Sequence, residues 1–395
     1  MINIDWIKNF AVIGAGTMGR EIAQVALMAG FEKVFLYSRT QQTIEKASKF
    51  IENGLKKMEL KNMLNKGATT NLLKKNLILV RDIEKTVENA DIVIESVPEI
   101  MDLKKEIFNK LGNFSPKHAI LATNTSTMSI TKIAEASNRP HQVVGMHFFT
   151  PIPVLRLIEV IKGEKTSKET FNTAVEIGKK LPSLKGKRYI AKIEKETPGF
   201  IVNRLTIASG LLLDWLLDKA TEEGIPYEEI DNNFASPPEF GPFAKWDYFG
   251  LDVVYDTMRY FAQKLSSEFA PGKTLTNLLK EGNLGKKTGK GIYKWSEGKP
   301  ILKSKEKAEL PGITYYYAIQ LNEGCRLLEE EVVSGYKIID DTMLAGMDMP
   351  GPFTAGKKNF QNWSNLLIDL SEKTGLNYFK PCDLMKSGKF INMRK

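Results

Sequence analysis

The chain has 395 residues, of which 42% are hydrophobic and 26% charged, as in an ordinary globular protein. It is too long for one core, so we expect two or three domains. No window holds 18 consecutive apolar residues and the chain does not open with a signal-peptide pattern, so neither a membrane span nor secretion is expected. Two cysteines, Cys325 and Cys382, are too few for a disulfide framework or a structural zinc site, so we expect a cytoplasmic protein without a bound metal.

The formal net charge is +9 at pH 7, and the lysines that produce it are spread along predicted helices. There is neither an arginine-rich run nor a nucleic-acid-binding motif, so we expect no nucleic-acid partner. The positive field does favour a polyanionic small molecule.

A strand–turn–helix–strand pattern opens the chain. The apolar run 9–13 predicts a buried strand, and the glycine-rich turn 14–19 follows directly. A helix over 17–29 ends at Gly30, and a second strand covers 34–37. This context is typical of a dinucleotide-binding unit and is more specific than the glycine pattern alone, for which an ordinary turn is the alternative.

The three glycines of the turn each have a physical role in such a unit. Gly14 permits the tight turn, Gly16 lets the backbone approach a pyrophosphate, and Gly19 lets helix and strand pack closely. The helix N-terminus, with Thr17 and Met18 in its first turn, offers N–H groups and a positive dipole to the phosphates.

The residues after the second strand indicate the type of cofactor. Chains that bind NAD usually carry Asp or Glu there, which would repel a 2′-phosphate. This chain has Ser38 followed by Arg39, which attract a phosphate, so we predict a nicotinamide cofactor, NAD(P), with NADP(H) favoured over NAD(H). The alternative is that Arg39 stacks on the adenine and NAD still binds.

Strands and helices go on alternating, which predicts a mostly parallel sheet with helices on both faces, a Rossmann-type doubly wound α/β fold. Ligands of such sheets bind beyond the carboxyl ends of the strands. This rule selects the segments 95–99 and 124–127, and then His147. Further strands are predicted at 77–80, 91–95, 119–123, 142–146 and 188–193, and further helices at 41–66, 102–114 and 167–181.

His147 stands out among the three histidines because a strand precedes it and a carboxylate, Glu159, follows within a second apolar strand. A dehydrogenase needs a base of near-neutral pKa to take the hydroxyl proton as hydride leaves, and histidine suits this task. A carboxylate on the other ring nitrogen fixes the tautomer. We therefore predict that His147 and Glu159 are the catalytic pair.

Beyond about residue 196 the pattern changes to long helices, which predicts an all-α part. Gly241-Pro242-Phe243 recurs about 110 residues later as Gly351-Pro352-Phe353, each time after an amphipathic helix, so we expect two copies of one helical module. The predicted domains are 1–196, 197–300 and 301–395. A glycine- and lysine-rich segment, 285–293, is either a linker or an anion-binding loop.

These residues resemble the 3-hydroxyacyl-CoA dehydrogenase family. The resemblance runs from residue 9 to about 295 in the family's order, and the second helical module is similar to an extra C-terminal repeat of long members, here without a hydratase domain. The matching segments are 14–19, 95–99, 124–126, 145–149, 157–160, 197–204, 241–243 and 285–289.

The resemblance implies an (S)-3-hydroxyacyl-CoA substrate, a 3-oxoacyl-CoA product and a place in fatty acid β-oxidation. It implies that His147 is the general base and that Glu159 orients it. The remaining implied residues are Ser126 and Asn203 at the reacting oxygen or thioester, Glu99 and Lys104 near the nicotinamide, and lysines of the 41–66 helix, among them Lys57 and Lys61, at the CoA phosphates.

Three features depart from the family pattern. Ser38 stands where Asp is usual, Thr150 stands where Asn usually follows the paired phenylalanines, and several residues are inserted around 182–196.

Two alternatives remain for the function: a dehydrogenase of a free hydroxy acid on the same fold, and a non-catalytic binding protein.

Single-module family members pair through their helical domains. A chain with two modules can satisfy that surface internally, so we expect a monomer, with a homodimer as the alternative.

Overall fold

The computed structural model describes residues 2–235 and 241–395, and all structural statements below concern these ranges. They divide into two units. The first comprises the residues up to Phe200 together with Glu331–Ser334 and Ile338–Pro350. The second comprises Ile201–Glu330, Gly335–Lys337 and Gly351–Lys395. The division into three domains at 196 and 300 stays a prediction.

The first unit contains one sheet of eight buried or half-buried strands. They are β1 (Asn9–Ile13), β2 (Lys33–Tyr37), β3 (Leu77–Val80), β4 (Ile92–Glu95), β5 (Ile120–Thr123), β6 (Val143–Phe148), β7 (Leu157–Ile161) and β8 (Tyr189–Ile193). Their order in the sheet is β3-β2-β1-β4-β5-β6-β7-β8. Neighbours are parallel except β6 and β7, which are antiparallel. The predicted mostly parallel α/β sheet is therefore confirmed.

Helices connect these strands, as the alternating pattern predicts. They are α1 (Thr17–Met28), α2 (Gln41–Leu60), α3 (Thr70–Lys75), α4 (Ile83–Val87), α5 (Met101–Phe114), α6 (Ile130–Glu135) and α7 (Lys168–Lys180). Small apolar residues of α1, such as Ala23 and Ala26, are fully buried beside the strands. Parallel strands covered in this way are apolar along their whole length.

The lysine-rich helix is shorter than its sequence predicts. α2 ends at Leu60 instead of residue 66, Lys61 is its C-cap, and Asn62 has a φ of 54°. Asparagine tolerates this left-handed conformation better than most residues, which stops the helix there. Lys66 therefore lies outside α2.

The second unit is mainly helical, as predicted. Its elements are α8 (Val202–Glu223), α9 (Tyr227–Asp231), α10 (Pro242–Phe249), α11 (Leu251–Lys264), α12 (Lys273–Lys280), the short strands β9 (Trp295–Ser296) and β10 (Lys299–Pro300), α13 (Ile313–Glu329), the start of α14 (Tyr336–Met347), α15 (Pro352–Thr374) and α16 (Asp383–Ser387). The rest of α14, from Ile338 onward, belongs to the first unit. None of the helices in the described ranges is long and apolar enough to cross a membrane.

The predicted repeat appears as matching starts of two helices. Pro242 and Pro352 occupy the first turns of α10 and α15, a position where proline costs no intrahelical hydrogen bond. The copies then differ, because Gly250, with a φ of 107°, separates α10 from α11, whereas α15 runs unbroken for 23 residues.

In both copies, a side chain of the first long helix also accepts a hydrogen bond from the backbone just before a later helix. In the first copy, Asp214 Oδ2 of α8 accepts a hydrogen bond of 2.8 Å from the N–H of Gly272, just before α12. In the second, Asn322 Oδ1 of α13 accepts one of 2.8 Å from the N–H of Cys382, just before α16.

A buried ion-pair network joins the two copies within the second unit. Arg204 of α8 is 1% exposed, and its guanidinium bonds the Glu323 carboxylate of α13 and, at 2.7 Å, Glu330 Oε1. Glu323 also accepts hydrogen bonds from Arg326 and Tyr378, at 2.9 and 3.0 Å.

Candidate active site

The antiparallel pairing of β6 and β7 places His147 directly opposite Glu159. The Nδ1 atom of His147 lies 2.7 Å from Oε2 of Glu159, and both side chains are buried. When Nδ1–H donates to the carboxylate, the other ring nitrogen, Nε2, carries no proton and is able to act as a base. His147 lies within β6, one residue before its end, whereas the sequence predicted a strand ending at 146.

Two aromatic rings flank the imidazole of His147. The ring centroid of Phe149 lies 4.3 Å from that of the imidazole, and the centroid of Phe200 lies 5.8 Å away. Phe200 reaches this place from the turn that ends the first unit, where its φ is 54°. The rings limit the access of water to the base, which strengthens electrostatic interactions there.

Lys104 of α5 forms a buried charge cluster with two carboxylates. Its Nζ lies 2.8 Å from Oε1 of Glu95, at the end of β4, and 3.0 Å from Oε2 of Glu99, in the following loop. Glu95 also accepts hydrogen bonds from Thr123 Oγ1 and the Val97 N–H, each at 2.7 Å. Lys104 and Glu95 are almost inaccessible to solvent, so the cluster fixes the geometry at this edge of the sheet.

Lys104 and Glu99 stay charged within this cluster. Burial alone would lower the pKa of Lys104, but the charges of Glu95 and Glu99 raise that pKa above its usual value. Burial would likewise raise the pKa of Glu99, but Lys104 and hydrogen bonds from Thr125 and Ser126 hold it below the ordinary range. Two carboxylates and one ammonium leave a net charge of about −1 here.

Ser126 belongs to the same cluster. Its N–H and Oγ lie 2.7 and 3.1 Å from Oε1 of Glu99, and Thr125 Oγ1 lies 2.6 Å from the same oxygen. Next to it, Asn124 Oδ1 accepts a hydrogen bond of 2.9 Å from the N–H of Phe148, the residue after His147. The structure thus brings Ser126, Glu99 and Lys104 together, and Asn124 connects their segment to the histidine strand.

The glycine-rich turn has the shape that a dinucleotide requires. A Cβ at Gly14, whose φ is 113°, would lie 2.3 Å from the carbonyl oxygen of Ser96, and a Cβ at Gly19 would lie 1.8 Å from that of Gly14. At Gly16 no atom lies within 4 Å of an added Cβ. No side chain caps the N-terminus of α1, and its first turn, with Thr17 and Met18, holds no acidic residue. The residues therefore fit a pyrophosphate at this turn.

The residues expected at the adenosine end follow β2. Ser38 is buried, its N–H donates to the carbonyl oxygen of Val80 at 3.3 Å, and Arg39 is exposed. A second arginine, Arg81, donates from Nη2 to the carbonyl oxygen of Arg39 at 3.5 Å. Two guanidinium groups therefore follow neighbouring strands.

The remaining predicted site residues belong to other elements. Lys57 and Lys61 are exposed on α2 and at its C-cap, and Asn203 lies in the first turn of α8, in the second unit. In the 285–293 segment, the N–H groups of Ile292 and Tyr293 donate to the buried carboxylate of Asp247 at 2.9 and 2.8 Å. Within the described ranges no group of three or more potential ligands could hold a metal ion.

The sequence alone does not assign roles to four polar residues near the site: the buried Glu95, Glu21 and Arg188, and the half-buried Asn124. Glu95 carries the same signal as Glu159, a charged residue in an otherwise apolar strand. Glu21 stands on the otherwise small and apolar face of α1. Arg188 donates hydrogen bonds only to backbone carbonyls, so no residue type in the sequence indicates its partners.

A glycine-rich turn at the head of a parallel sheet, with a buried His–Glu pair on neighbouring strands, defines a nicotinamide-dependent dehydrogenase of the Rossmann type. The sequence model of the 3-hydroxyacyl-CoA dehydrogenase NAD-binding domain matches residues 9–190, and that of the C-terminal domain of 3-hydroxyacyl-CoA dehydrogenase matches residues 199–295. The chain belongs to the 3-hydroxyacyl-CoA dehydrogenase family, and it is an oxidoreductase.

Relatives and solved structures agree with this assignment. Mitochondrial hydroxyacyl-coenzyme A dehydrogenase of Mus musculus is 37% identical over 300 residues, which cover 73% of this chain and 91% of the relative. The 3-hydroxybutyryl-CoA dehydrogenase of Clostridioides difficile is 34% identical over 297 residues, covering 73% of this chain and 100% of the relative. The crystal structure of 3-hydroxybutyryl-CoA dehydrogenase from Escherichia coli K12 superposes with a TM-score of 0.82 at 25% identity, covering 99% of both chains.

Proposed function

We propose that the protein interconverts (S)-3-hydroxyacyl-CoA and 3-oxoacyl-CoA, such as 3-hydroxybutyryl-CoA and acetoacetyl-CoA, with a nicotinamide dinucleotide. The observation that carries the proposal is the buried His147–Glu159 pair, with 2.7 Å between Nδ1 and Oε2. Relatives at 34–37% identity carry the names of hydroxyacyl-CoA and 3-hydroxybutyryl-CoA dehydrogenases, which supports the substrate class.

In the proposed mechanism, Nε2 of His147 accepts the proton of the substrate 3-hydroxyl. The bound nicotinamide ring supplies the hydride acceptor. Glu159 holds the Nδ1–H and stabilises the imidazolium that forms, because opposite charges attract strongly in a dry site. Ser126 and Asn203 are assigned to the reacting oxygen or the thioester. In the reductive direction the imidazolium returns its proton to the alkoxide oxygen.

The proposed cofactor site begins at the glycine-rich turn. Gly14 and Gly19 shape the backbone, Gly16 leaves the open approach, and the N–H groups of Thr17 and Met18 face the pyrophosphate. At the nicotinamide end we place Glu99 and Lys104. The net negative charge of their cluster favours the cationic, oxidised ring over the neutral, reduced one.

At the adenosine end we propose a preference for NADP(H) over NAD(H). The support is chemical: Ser38 and Arg39 follow β2, Arg81 follows β3, and position 38 lacks the carboxylate that would repel a 2′-phosphate. The match to an NAD-binding domain supports a nicotinamide dinucleotide, and comparison of kcat/KM with NADH and NADPH decides between the two cofactors.

For the CoA tail we propose the exposed lysines of α2 and its C-cap, Lys57 and Lys61. Their charges suit the CoA phosphates, since ammonium groups at a surface bind phosphate as point charges. Substitution of both by Gln should raise the KM for an acyl-CoA at least about threefold and leave the KM for the cofactor unchanged.

The decisive test is reduction of acetoacetyl-CoA by NADH and by NADPH, followed at 340 nm, beside reduction of free acetoacetate. Activity on the thioester alone supports the proposal. Activity on the free acid alone contradicts it and favours the free-acid dehydrogenase. Activity on neither substrate with either cofactor also contradicts it.

For the assembly we propose a monomer. The matches to the two relatives cover 73% of this chain and 91–100% of the relatives. About a quarter of this chain therefore lies outside these matches. In the second unit, Arg204 of the first module is neutralised by Glu323 of the second. Light scattering at micromolar concentration should give about the mass of one chain, 44.5 kDa, and a stable dimer would contradict this.

A further inference from the structure

A loop of eight residues, 149–156, connects β6 to β7 and therefore connects the strand of His147 to the strand of Glu159. Two buried side chains of opposite charge reach this loop from other elements. They are Glu21 of α1 and Arg188, the residue before β8, and both bond the backbone of Ile152.

Glu21 holds the amide side of Ile152. Its Oε2 accepts a hydrogen bond of 2.7 Å from the Ile152 N–H and one of 3.3 Å from Thr150 Oγ1. Glu21 is 6% exposed and Ile152 is fully buried. A carboxylate withdrawn from water to this degree needs such donors, and here the backbone of the loop provides one of them.

Arg188 holds the carbonyl side of Ile152. Its Nη2 donates to the carbonyl oxygen of Ile152 at 2.9 Å, and Nη1 donates to that of Leu155 at 2.5 Å. The same guanidinium donates to Leu181 and Pro182 at 3.1 and 2.7 Å. All four acceptors are backbone carbonyls. Burial lowers the pKa of Arg188 to about 10, so the group is still a cation at neutral pH.

The backbone on either side of Arg188 also lies against the loop. The N–H of Leu184 donates to the Pro153 carbonyl oxygen at 2.9 Å, and the N–H of Tyr189 donates to that of Arg156 at 3.0 Å. The backbone from Leu184 to Tyr189 thus supplies a second support for the loop. Neither Glu21 nor Arg188 forms an ion pair within the described part of the chain. Glu21 accepts hydrogen bonds from a peptide N–H and from the Thr150 hydroxyl, whereas Arg188 donates to peptide carbonyls alone.

We propose that Glu21 and Arg188 are positioning residues for His147, and we call the two the Ile152 clamp. The proposal rests on the proposed function. By holding both peptide groups of Ile152, the clamp fixes the connection between the base and its carboxylate and ties it to α1, the helix that faces the cofactor. A displacement of a catalytic group by about 1 Å can cost about 100-fold in rate, so such a support affects turnover more than substrate binding.

The test compares four single variants, and the double variant that combines Glu21→Ala with Arg188→Met, for kcat, KM and melting temperature in acetoacetyl-CoA reduction. Glu21→Ala and Arg188→Met remove the two halves of the clamp, and Glu21→Gln keeps an oxygen that accepts from the Ile152 N–H. The matched control is Arg139→Met. Arg139 also bonds backbone carbonyls, those of Pro116, Leu111 and Ser115, at 2.7 to 3.1 Å, but at the opposite end of β6 from His147.

We expect Glu21→Ala and Arg188→Met to lower kcat at least about 10-fold while the KM for acetoacetyl-CoA changes less than about threefold. Glu21→Gln should recover kcat to within about threefold of the wild type. The kcat of the double variant should be little lower than that of the more impaired single variant, because both residues act on one loop. Arg139→Met should lower the melting temperature and keep kcat.

The proposal is overturned if kcat falls no further in Glu21→Ala and Arg188→Met than in Arg139→Met. It is also overturned if kcat is as low in Glu21→Gln as in Glu21→Ala. A wild type that does not reduce acetoacetyl-CoA overturns the proposed function instead. Hydrogen–deuterium exchange of the Ile152 amide then tests the clamp by itself. Faster exchange in Glu21→Ala than in Arg139→Met supports it, and equal exchange overturns it.

Discussion

Nδ1 of His147 lies 2.7 Å from Oε2 of Glu159, and the antiparallel register of β6 and β7 sets the two residues opposite each other. The carboxylate comes from the neighbouring strand at the same level, so the imidazole is held by the sheet itself. This relationship leads to the first prediction.

His147→Gln should lower kcat at least about 100-fold, because no other group at this position takes up the hydroxyl proton. Glu159→Gln should lower kcat by a smaller factor of at least about 10, because the tautomer is then no longer fixed by a charge. Steady-state rates with acetoacetyl-CoA measure both effects, and titration of NADH fluorescence shows whether cofactor binding is retained.

The control is a second histidine–carboxylate pair, His118 and Asp91, whose atoms Nε2 and Oδ1 are 2.8 Å apart. The side chain of His118 is 55% exposed and stands before β5, at the other end of the sheet. His118→Gln should therefore keep kcat within about twofold. An equal loss in His118→Gln and His147→Gln would contradict the role of the buried pair.

Gly16 and Gly19 should respond differently to the same added methyl group. Gly16 has an extended conformation with open space around a Cβ, so Gly16→Ala should fold normally but bind NADH and NADPH at least about 10-fold more weakly. Gly19→Ala places a Cβ 1.8 Å from the Gly14 carbonyl oxygen and should lower the melting temperature by several degrees, about 1–3 kcal/mol of stability. Calorimetry and cofactor titration separate the effects. Unchanged affinity in Gly16→Ala would exclude the turn as the pyrophosphate site.

Asp214 should make the second unit less stable as pH rises. Burial raises the pKa of Asp214 to about 7, from an ordinary value of 3.8. The stability linked to this raised pKa is present in full below pH 3.8 and is lost as pH rises through about 7. Oδ1 of Asp214 has no hydrogen-bond partner in the described part of the chain, whereas Nδ2 of the corresponding Asn322 donates to the Lys380 carbonyl oxygen at 3.0 Å.

Asp214→Asn should therefore stabilise the protein at pH 8 by about 1–2 kcal/mol and have little effect at pH 5. Urea unfolding followed by tryptophan fluorescence measures this, since four of the five tryptophans, at 215, 246, 295 and 363, lie in the second unit. The converse variant, Asn322→Asp, should be destabilised at pH 8. A gain of equal size at both pH values would show that the carboxylate does not titrate in this range.

Ser38→Asp should reverse the proposed cofactor preference. A carboxylate there repels a 2′-phosphate and accepts hydrogen bonds from a ribose hydroxyl, so kcat/KM with NADPH should fall at least about 10-fold while that with NADH is kept or rises. Arg39→Gln should lower kcat/KM with NADPH alone. A wild type that prefers NADH would contradict the proposal from the start.

The sequence predicts the features that depend on neighbouring residues. The run from Asn9 through Gly19 identifies a cofactor unit because the strand, the turn and the helix each have a local composition that permits little else. The sequence also indicates the His147–Glu159 pair, since a carboxylate in a buried strand requires a partner and few candidates exist.

Features that depend on distant backbone groups are not predictable in this way. Glu21 and Arg188 meet Ile152 only after the sheet has formed, and peptide groups look alike in every residue. The sequence also places the end of α2 at residue 66 instead of Leu60, because the left-handed conformation of Asn62 is not predictable from the residues around it. Similarly, a single glycine, Gly250, separates α10 from α11, whereas its counterpart helix α15 is continuous.

The Arg204 network makes the two helical modules depend on each other for stability. Arg204 in the first helical module is 1% exposed, and its guanidinium is neutralised by Glu323 of the second module. Replacement of Glu323 by an apolar residue would leave Arg204 buried without this counterion, at about 3–5 kcal/mol, a large part of the stability of a domain. The two helical modules therefore form a single folding unit: a change in the second module destabilises the first, so neither copy can change at this contact on its own.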